Sequence, residues 1–168
     1  KLIASYTTQN SRLSSDIVLC MTEFKQKIWM GTDGGGINIL DPTTGNITVL
    51  EHISGDNHSL PTNTILCLHS DSAGNIWAGS KREGVINIRE VSMRTYTNVV
   101  LGHNKGLSQS TVLQLYQEPA SEELWIATDG GGINKFIPST ETFVHYPDTW
   151  GDKMVSITSF TPNELLVY

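Results

Sequence analysis

Trp29, Trp77 and Trp125 stand 48 residues apart, and no other feature of the chain constrains its fold so tightly. A fixed period of this length marks a repeated supersecondary unit, which has to be read before any single element. Each tryptophan sits in a matching pentapeptide: Ile28-Trp29-Met30-Gly31-Thr32, Ile76-Trp77-Ala78-Gly79-Ser80 and Leu124-Trp125-Ile126-Ala127-Thr128. Upstream, Leu13, Leu60 and Leu107 recur at intervals of 47, each followed by a polar stretch and an apolar run. Downstream, a turn leads into Ile37-Asn38-Ile39, Ile86-Asn87-Ile88 or Ile133-Asn134-Lys135.

One unit reads as four short strands. The apolar run at Val18 or Ile65 is the first, and the tryptophan lies in the second. Asp71-Ser72-Ala73-Gly74-Asn75 has the composition of a tight turn between them. Asp33-Gly34-Gly35-Gly36 supplies residues able to take positive φ in the next hairpin, and Ile37 to Leu40 is the third strand. The fourth carries apolar or aromatic residues three apart: Ile47 and Leu50, Met93 and Tyr96, Phe143 and Tyr146. Four antiparallel strands in a period of roughly 40–50 residues is the pattern of propeller blades, not of helical solenoids. The expected fold is therefore all-β, a β-propeller fragment of four-stranded antiparallel blades.

Residues 1–12 are expected to hold the last strand of a preceding blade, with Ile3 and Tyr6 in its apolar slots, and a linker. Full blades are expected at 13–59, 60–106 and 107–153, and the first half of a further blade at 154–168, all in one propeller domain. Such an arc leaves sheet edges and blade faces uncovered. The chain thus reads as a segment of a larger propeller or as one part of a ring completed by a partner.

Charge and cysteine content narrow the partners. Formal net charge is −6 and Lys81-Arg82 is the one basic pair, so nucleic acid is not an expected partner. No apolar run is long enough to span a bilayer, and no signal peptide opens the sequence. Two cysteines, Cys20 and Cys67, are too few for a disulfide scaffold or a zinc site. They fall in equivalent slots of adjacent blades, with Gln114 as the third member, and neighbouring inner strands diverge, so two free thiols are expected.

The unit resembles the two-component regulator propeller repeat: a Leu-Ser pair, an apolar strand, Leu/Ile-Trp-Ile-Gly-Thr, a glycine-rich turn and Gly-Gly-Ile/Leu-Asn. Leu13-Ser14, Ile28 to Thr32 and Gly34 to Asn38 carry the likeness, as do Leu107-Ser108 and Leu124 to Asn134. The resemblance implies the periplasmic, extracytoplasmic part of a hybrid two-component sensor histidine kinase, anchored in the membrane only through its parent and acting as a homodimer. It also implies an oligosaccharide ligand from complex glycans, and packing against further blades and neighbouring domains of the parent. The second unit departs from the pattern. Pro61 follows Leu60, and Lys81-Arg82-Glu83-Gly84 replaces Asp-Gly-Gly-Gly, one residue longer in total before Asn87.

Residues that break the repeat are the candidate ligand contacts. Lys81, Arg82 and Glu83 put three charged side chains on one hairpin, either as a solvated turn or as a contact to a ligand or adjoining domain. Trp150 lies in a loop outside the repeat, either packed locally or offered to a ligand or an interface. The recurrent residues read as structural. The three strand tryptophans suit packing between blades, and Asn38, Asn87 and Asn134 suit side-chain bonding to neighbouring backbone. Asp16, Asn63 and Ser110, just before each first strand, suit local turn bonding. The Asp-Gly-Gly-Gly segments sit between strands and lack the Gly-Lys-Ser/Thr of a phosphate loop.

No catalytic residue, metal site or cofactor is assigned. The five histidines share no repeat position and no ligand spacing, and no nucleophile–base pair is evident. The expected function is a non-enzymatic sensing segment, with specificity in the loops 51–60, 98–107 and 146–153. The rivals are a propeller enzyme resembling streptogramin lyases, which would need histidines and carboxylates gathered at one propeller mouth, and a purely protein-interaction propeller.

Overall fold

The computed structural model describes residues 3–56, 58–89, 92–98, 105–118, 121–146, 157–161 and 164–167. The first sheet takes β1 (Val18–Phe24), β2 (Lys27–Thr32), β3 (Ile37–Leu40) and β4 (Ile47–Leu50) in chain order. The second takes β5 (Ile65–Ser70), β6 (Ile76–Ser80), β7 (Val85–Arg89) and β8 (Ser92–Tyr96). The third takes β9 (Val112–Gln117), β10 (Leu124–Thr128), β11 (Gly132–Ile137) and β12 (Thr142–Tyr146). A hairpin of β13 (Ile157–Thr161) and β14 (Glu164–Val167) follows. Every pairing is antiparallel, the inner strands β1, β5 and β9 lie side by side, and no helix occurs among the described residues. The fold is an all-β propeller fragment, as the repeat predicts.

The core lies between sheets, because each blade has an apolar face on both sides. Ile37, Trp29, Ile39 and Leu50 of the first sheet pack on Ile65, Ile76, Ile86 and Ile88 of the second. Trp77, Val85 and Tyr96 of the second pack on Val112, Leu124, Phe136 and Phe143 of the third. Trp77 is 4% exposed, with its ring centroid 5.3 Å from that of Phe136. The strand tryptophans Trp29 and Trp77 thus join blades, as their recurrence predicts. On the outer face of the first sheet Leu19 and Met21 are exposed, the uncovered blade face an open arc requires.

Three recurring devices fix each blade. The inner strand opens with a β-bulge, at Val18/Cys20 in the first sheet and at Ile65/Cys67 in the second. The hydroxyl closing the second strand donates to the turn glycine's carbonyl: Thr32 Oγ1 to Gly36 O at 2.9 Å, Ser80 Oγ to Gly84 O at 2.8 Å, Thr128 Oγ1 to Gly132 O at 2.9 Å. The same glycine then bonds the next blade, with Gly36 N donating to Asn63 O and Gly84 N to Ser110 O, both at 2.8 Å.

The cysteine slot also reaches across blades. Cys20 and Cys67 are both free, and each sits opposite a glycine, Gly31 or Gly79. A Cβ on Gly79 would lie 2.3 Å from Cys67 Sγ and 2.6 Å from Val112 Cγ1, so the glycine leaves room for both the thiol and the next blade. Burial pushes the Cys20 thiol up to about 11, partly offset by the Gly31 backbone hydrogen bond, and raises Cys67 further. In the third blade Gln114 replaces the thiol and clasps the next strand with both amide atoms. Its Nε2 donates to Ile157 O at 3.0 Å, and Ile157 N donates to its Oε1 at 2.7 Å.

The asparagines require a correction. Asn38 and Asn134 are equivalent: each stands two residues past the turn glycine and accepts from a serine backbone N–H, Ser14 at 3.0 Å and Ser108 at 2.8 Å. Each also donates Nδ2 to that serine's hydroxyl, at 2.6 Å and 2.8 Å. In the second sheet that position is Ile86, because the turn length is unchanged and Val85 follows Gly84. Asn87 is one residue further on and faces the opposite side, pairing with Trp77 where Asn38 pairs with Met30. Its Oδ1 accepts from Arg89 Nε at 2.8 Å, while its Nδ2 is buried without a partner. Pro61, which has no N–H to give, occupies the serine slot, so the polar pair of the outer blades becomes an apolar pair in the middle one.

Ile3 and Tyr6 carry no strand pairing among the described residues. An outer strand pairs only with the third strand of its own sheet, and among the described residues none lies beside them. Their register is nevertheless that of an outer strand. Asp16 Oδ1 accepts from Thr8 N at 2.8 Å as Asn63 Oδ1 accepts from His52 N at 2.6 Å, and Tyr6 packs on the first sheet as Leu50 packs on the second.

Candidate functional site

The hairpin between β6 and β7 carries Lys81, Arg82 and Glu83, all three exposed. Its frame matches the sister hairpins: Lys81 N donates to Thr64 O at 3.2 Å as Asp129 N donates to Thr111 O at 3.0 Å. What differs is the second residue. Gly34 and Gly130 take φ of +80° and +75°, a conformation cheap for glycine alone, and Arg82 is held at +82°. A non-glycine residue there costs about 1–2 kcal/mol, and strain of this kind collects at functional positions. Arg82→Gly is accordingly expected to stabilise the protein by about 1 kcal/mol, read as a rise in the urea midpoint at unchanged m. An unchanged or lowered midpoint would show that the side chain itself supports the fold. Trp150 lies outside the described residues.

The slots before the first strands do local work. Asp16 and Asn63 bond as given above, and Ser110 Oγ donates to Asn98 Oδ1 at 2.6 Å. The described histidines are dispersed. His52 Nδ1 lies 2.7 Å from Leu60 O, His145 Nε2 lies 2.8 Å from Gly106 O, and His58 stands in solvent near Asp56. Burial lowers the pKa of His69, against the opposing pull of the Gln117 hydrogen bond and the Asp71 charge. Among the described residues no three His, Cys, Asp or Glu side chains come together as a metal site would require.

Sequence reading missed two clefts, because they arise from differences in turn length between blades rather than from a motif. Between the second and third sheets the β5–β6 turn runs from Asp71 to Asn75, and Asp71 Oδ2 accepts from Trp77 Nε1 at 2.8 Å. That interface is filled by the aromatic cluster around Phe143, leaving a space of about 190 Å³ whose charged lining includes Asp71, Glu122 and Glu141 as well as Arg89. Between the first and second sheets the β1–β2 turn is only Lys25-Gln26, with φ of +49° and +61° at two non-glycine residues. The tight turn leaves Trp29 half-buried, with Phe24 edge-on at 6.0 Å, beside a cleft of about 490 Å³.

Residues 59–82 match the two component regulator propeller family model, which bears out the resemblance read from the repeat. No curated protein matches the chain. Among solved structures, the chain aligns with the extracellular domain of a hybrid two component system from B. thetaiotaomicron at a TM-score of 0.84 and 20% identity. That alignment covers 98% of this chain and 23% of the other, so the chain spans about a quarter of that domain's length. A streptogramin B lyase aligns at a TM-score of 0.62 and 18% identity, over 90% of this chain and 47% of that one. The RRP9 WD40 repeats align at 0.61 and 13%, over 82% and 40%. At these identities the likeness is one of fold.

Proposed function

We propose that this chain, which carries the two-component regulator propeller repeat, is a non-enzymatic segment of an extracytoplasmic sensor in a hybrid two-component system and that the sensor responds to oligosaccharides. The observation that carries the reading is the conjunction of the family match at 59–82 with a 0.84 superposition, over nearly the whole chain, on the extracellular domain of such a system. The architecture suits the role: a rigid stack of blades presents variable loops and hairpins at its ends. The strained, charged Lys81-Arg82-Glu83 hairpin is a contact point for ligand or for a neighbouring domain of the parent.

The test is thermal unfolding of the intact parent ectodomain against a panel of glycan oligosaccharides. A ligand at 100 times its Kd adds about 2.7 kcal/mol to native stability. A concentration-dependent rise in Tm with one glycan class supports the sensor reading and identifies its input. A flat panel, with the protein folded, would overturn glycan sensing and turn attention to a protein partner.

A further inference from the structure

The cleft between the first and second sheets differs from its neighbour in size, packing and charge, although both are built from the same repeat. The interface of the second and third sheets buries Trp77 and ties its indole N–H to Asp71. The corresponding Trp29 is only half-buried, and the turn that would bring an aspartate to it is the two-residue Lys25-Gln26 hairpin. Its floor is apolar, made by Trp29, Phe24, Ile39 and Met93. At about 490 Å³ the cleft falls in the range of small-molecule sites, which run from roughly 300 to 1,000 Å³.

Its charge runs against that of the chain. The sequence carries 11 Lys and Arg against 17 Asp and Glu. Among the described residues lining this cleft, Lys25, Lys27 and Arg89 are basic and none is acidic. Asp41 is near enough for the Lys27 charge to help lower its pKa, behind the Thr43 and Thr44 backbone hydrogen bonds, but it does not line the cleft. Arg89 borders the cleft, but its Nε bond to Asn87 Oδ1 at 2.8 Å holds the side chain on the Trp77 side of β7, toward the third sheet, so the charge above the Trp29 floor is that of the β1–β2 lysines.

We propose that this inter-blade cleft binds a small carboxylate whose flat apolar body stacks on Trp29 and whose charge is met by Lys27. The chemistry is shared by uronic-acid sugars, with an apolar ring face and one carboxylate, and by aryl carboxylates. Aromatic faces take up such bodies, and basic side chains form charge-assisted hydrogen bonds to carboxylates. The inference deepens the glycan-sensing reading, on which the preference for a uronic-acid sugar rests.

The experiment is isothermal titration of the intact parent ectodomain with three probes: cellobiouronate, cellobiose, which lacks its carboxylate, and 2-naphthoate. Cellobiouronate is expected to bind at least tenfold more tightly than cellobiose. Lys27→Glu, at an exposed position, should weaken it at least tenfold with Tm unchanged. Trp29→Phe should weaken it severalfold, and Thr140→Ala, in the exposed β11–β12 turn of the third sheet, should leave it unaltered. Binding of 2-naphthoate alone, lost in Lys27→Glu, would keep the cleft as a carboxylate site and reassign its source to an aryl acid. Equal affinity for cellobiose and cellobiouronate, no binding of any probe, or binding indifferent to Lys27→Glu would overturn the proposal. Glycan sensing would survive those results if a neutral oligosaccharide in the wider panel still raised Tm.

Discussion

Gly84→Ala is expected to cost about 3–4 kcal/mol, while Gly74→Ala in the same sheet costs only about 1 kcal/mol. Both glycines hold left-handed backbone, with φ of +79° and +81°, so the conformational penalty is common to them. They differ in what a methyl group would meet. Nothing lies within 4 Å of the Cβ position at Gly74. At Gly84 that position is 1.9 Å from Tyr96 O and 3.0 Å from Thr97 Cα, backbone atoms at the end of β8, with which β7 pairs, and just beyond it. A carbonyl held in a ladder cannot swing aside as a flexible side chain would. The methyl group therefore has to part Val85 from Tyr96, and it loosens the Ser80 Oγ and Ser110 O bonds made to Gly84. Urea denaturation of the two variants separates the effects. Equal losses would mean that the close approach of β8 is unimportant and that φ alone selects glycine here.

That comparison shows why the blades were readable from the sequence and where readability ended. A repeat preserves whatever every unit needs: the inter-blade tryptophan, the hydroxyl at Thr32, Ser80 and Thr128, and the turn glycine at Gly36, Gly84 and Gly132. Spacing exposes such positions directly. It misleads where two changes compensate. Asn87 follows an isoleucine and precedes another, as the repeat asparagines follow one, yet the turn glycine rather than the tripeptide sets the register, and Ile86 takes the asparagine's place. The large cleft was invisible for a further reason. It comes from a turn three residues shorter than Asp71–Asn75, and the loss of an indole's partner leaves no motif behind.

Restoring the repeat pattern in the middle blade should therefore harm it. Ile86 is fully buried and packs toward the first sheet, and Pro61 beside it has no N–H for an asparagine to accept. Ile86→Asn forfeits roughly 2 kcal/mol of apolar burial and leaves an amide unsatisfied at a further cost of about 1–3 kcal/mol. The single variant is expected to lose about 3–5 kcal/mol. Adding Pro61→Ser supplies the backbone donor and the hydroxyl that hold Asn38 and Asn134, and should recover about 1–3 kcal/mol from two hydrogen bonds at about 0.5–1.5 kcal/mol each. Pro61→Ser alone gains no partner and should be neutral or slightly destabilising. A double-mutant cycle by urea unfolding reads the coupling directly. A favourable coupling of at least 1 kcal/mol means that the serine–asparagine pair and the proline–isoleucine pair are alternative solutions to closing the same joint. Additivity would mean that Ile86 was selected by its packing on the first sheet alone, and that Pro61 arose independently of it.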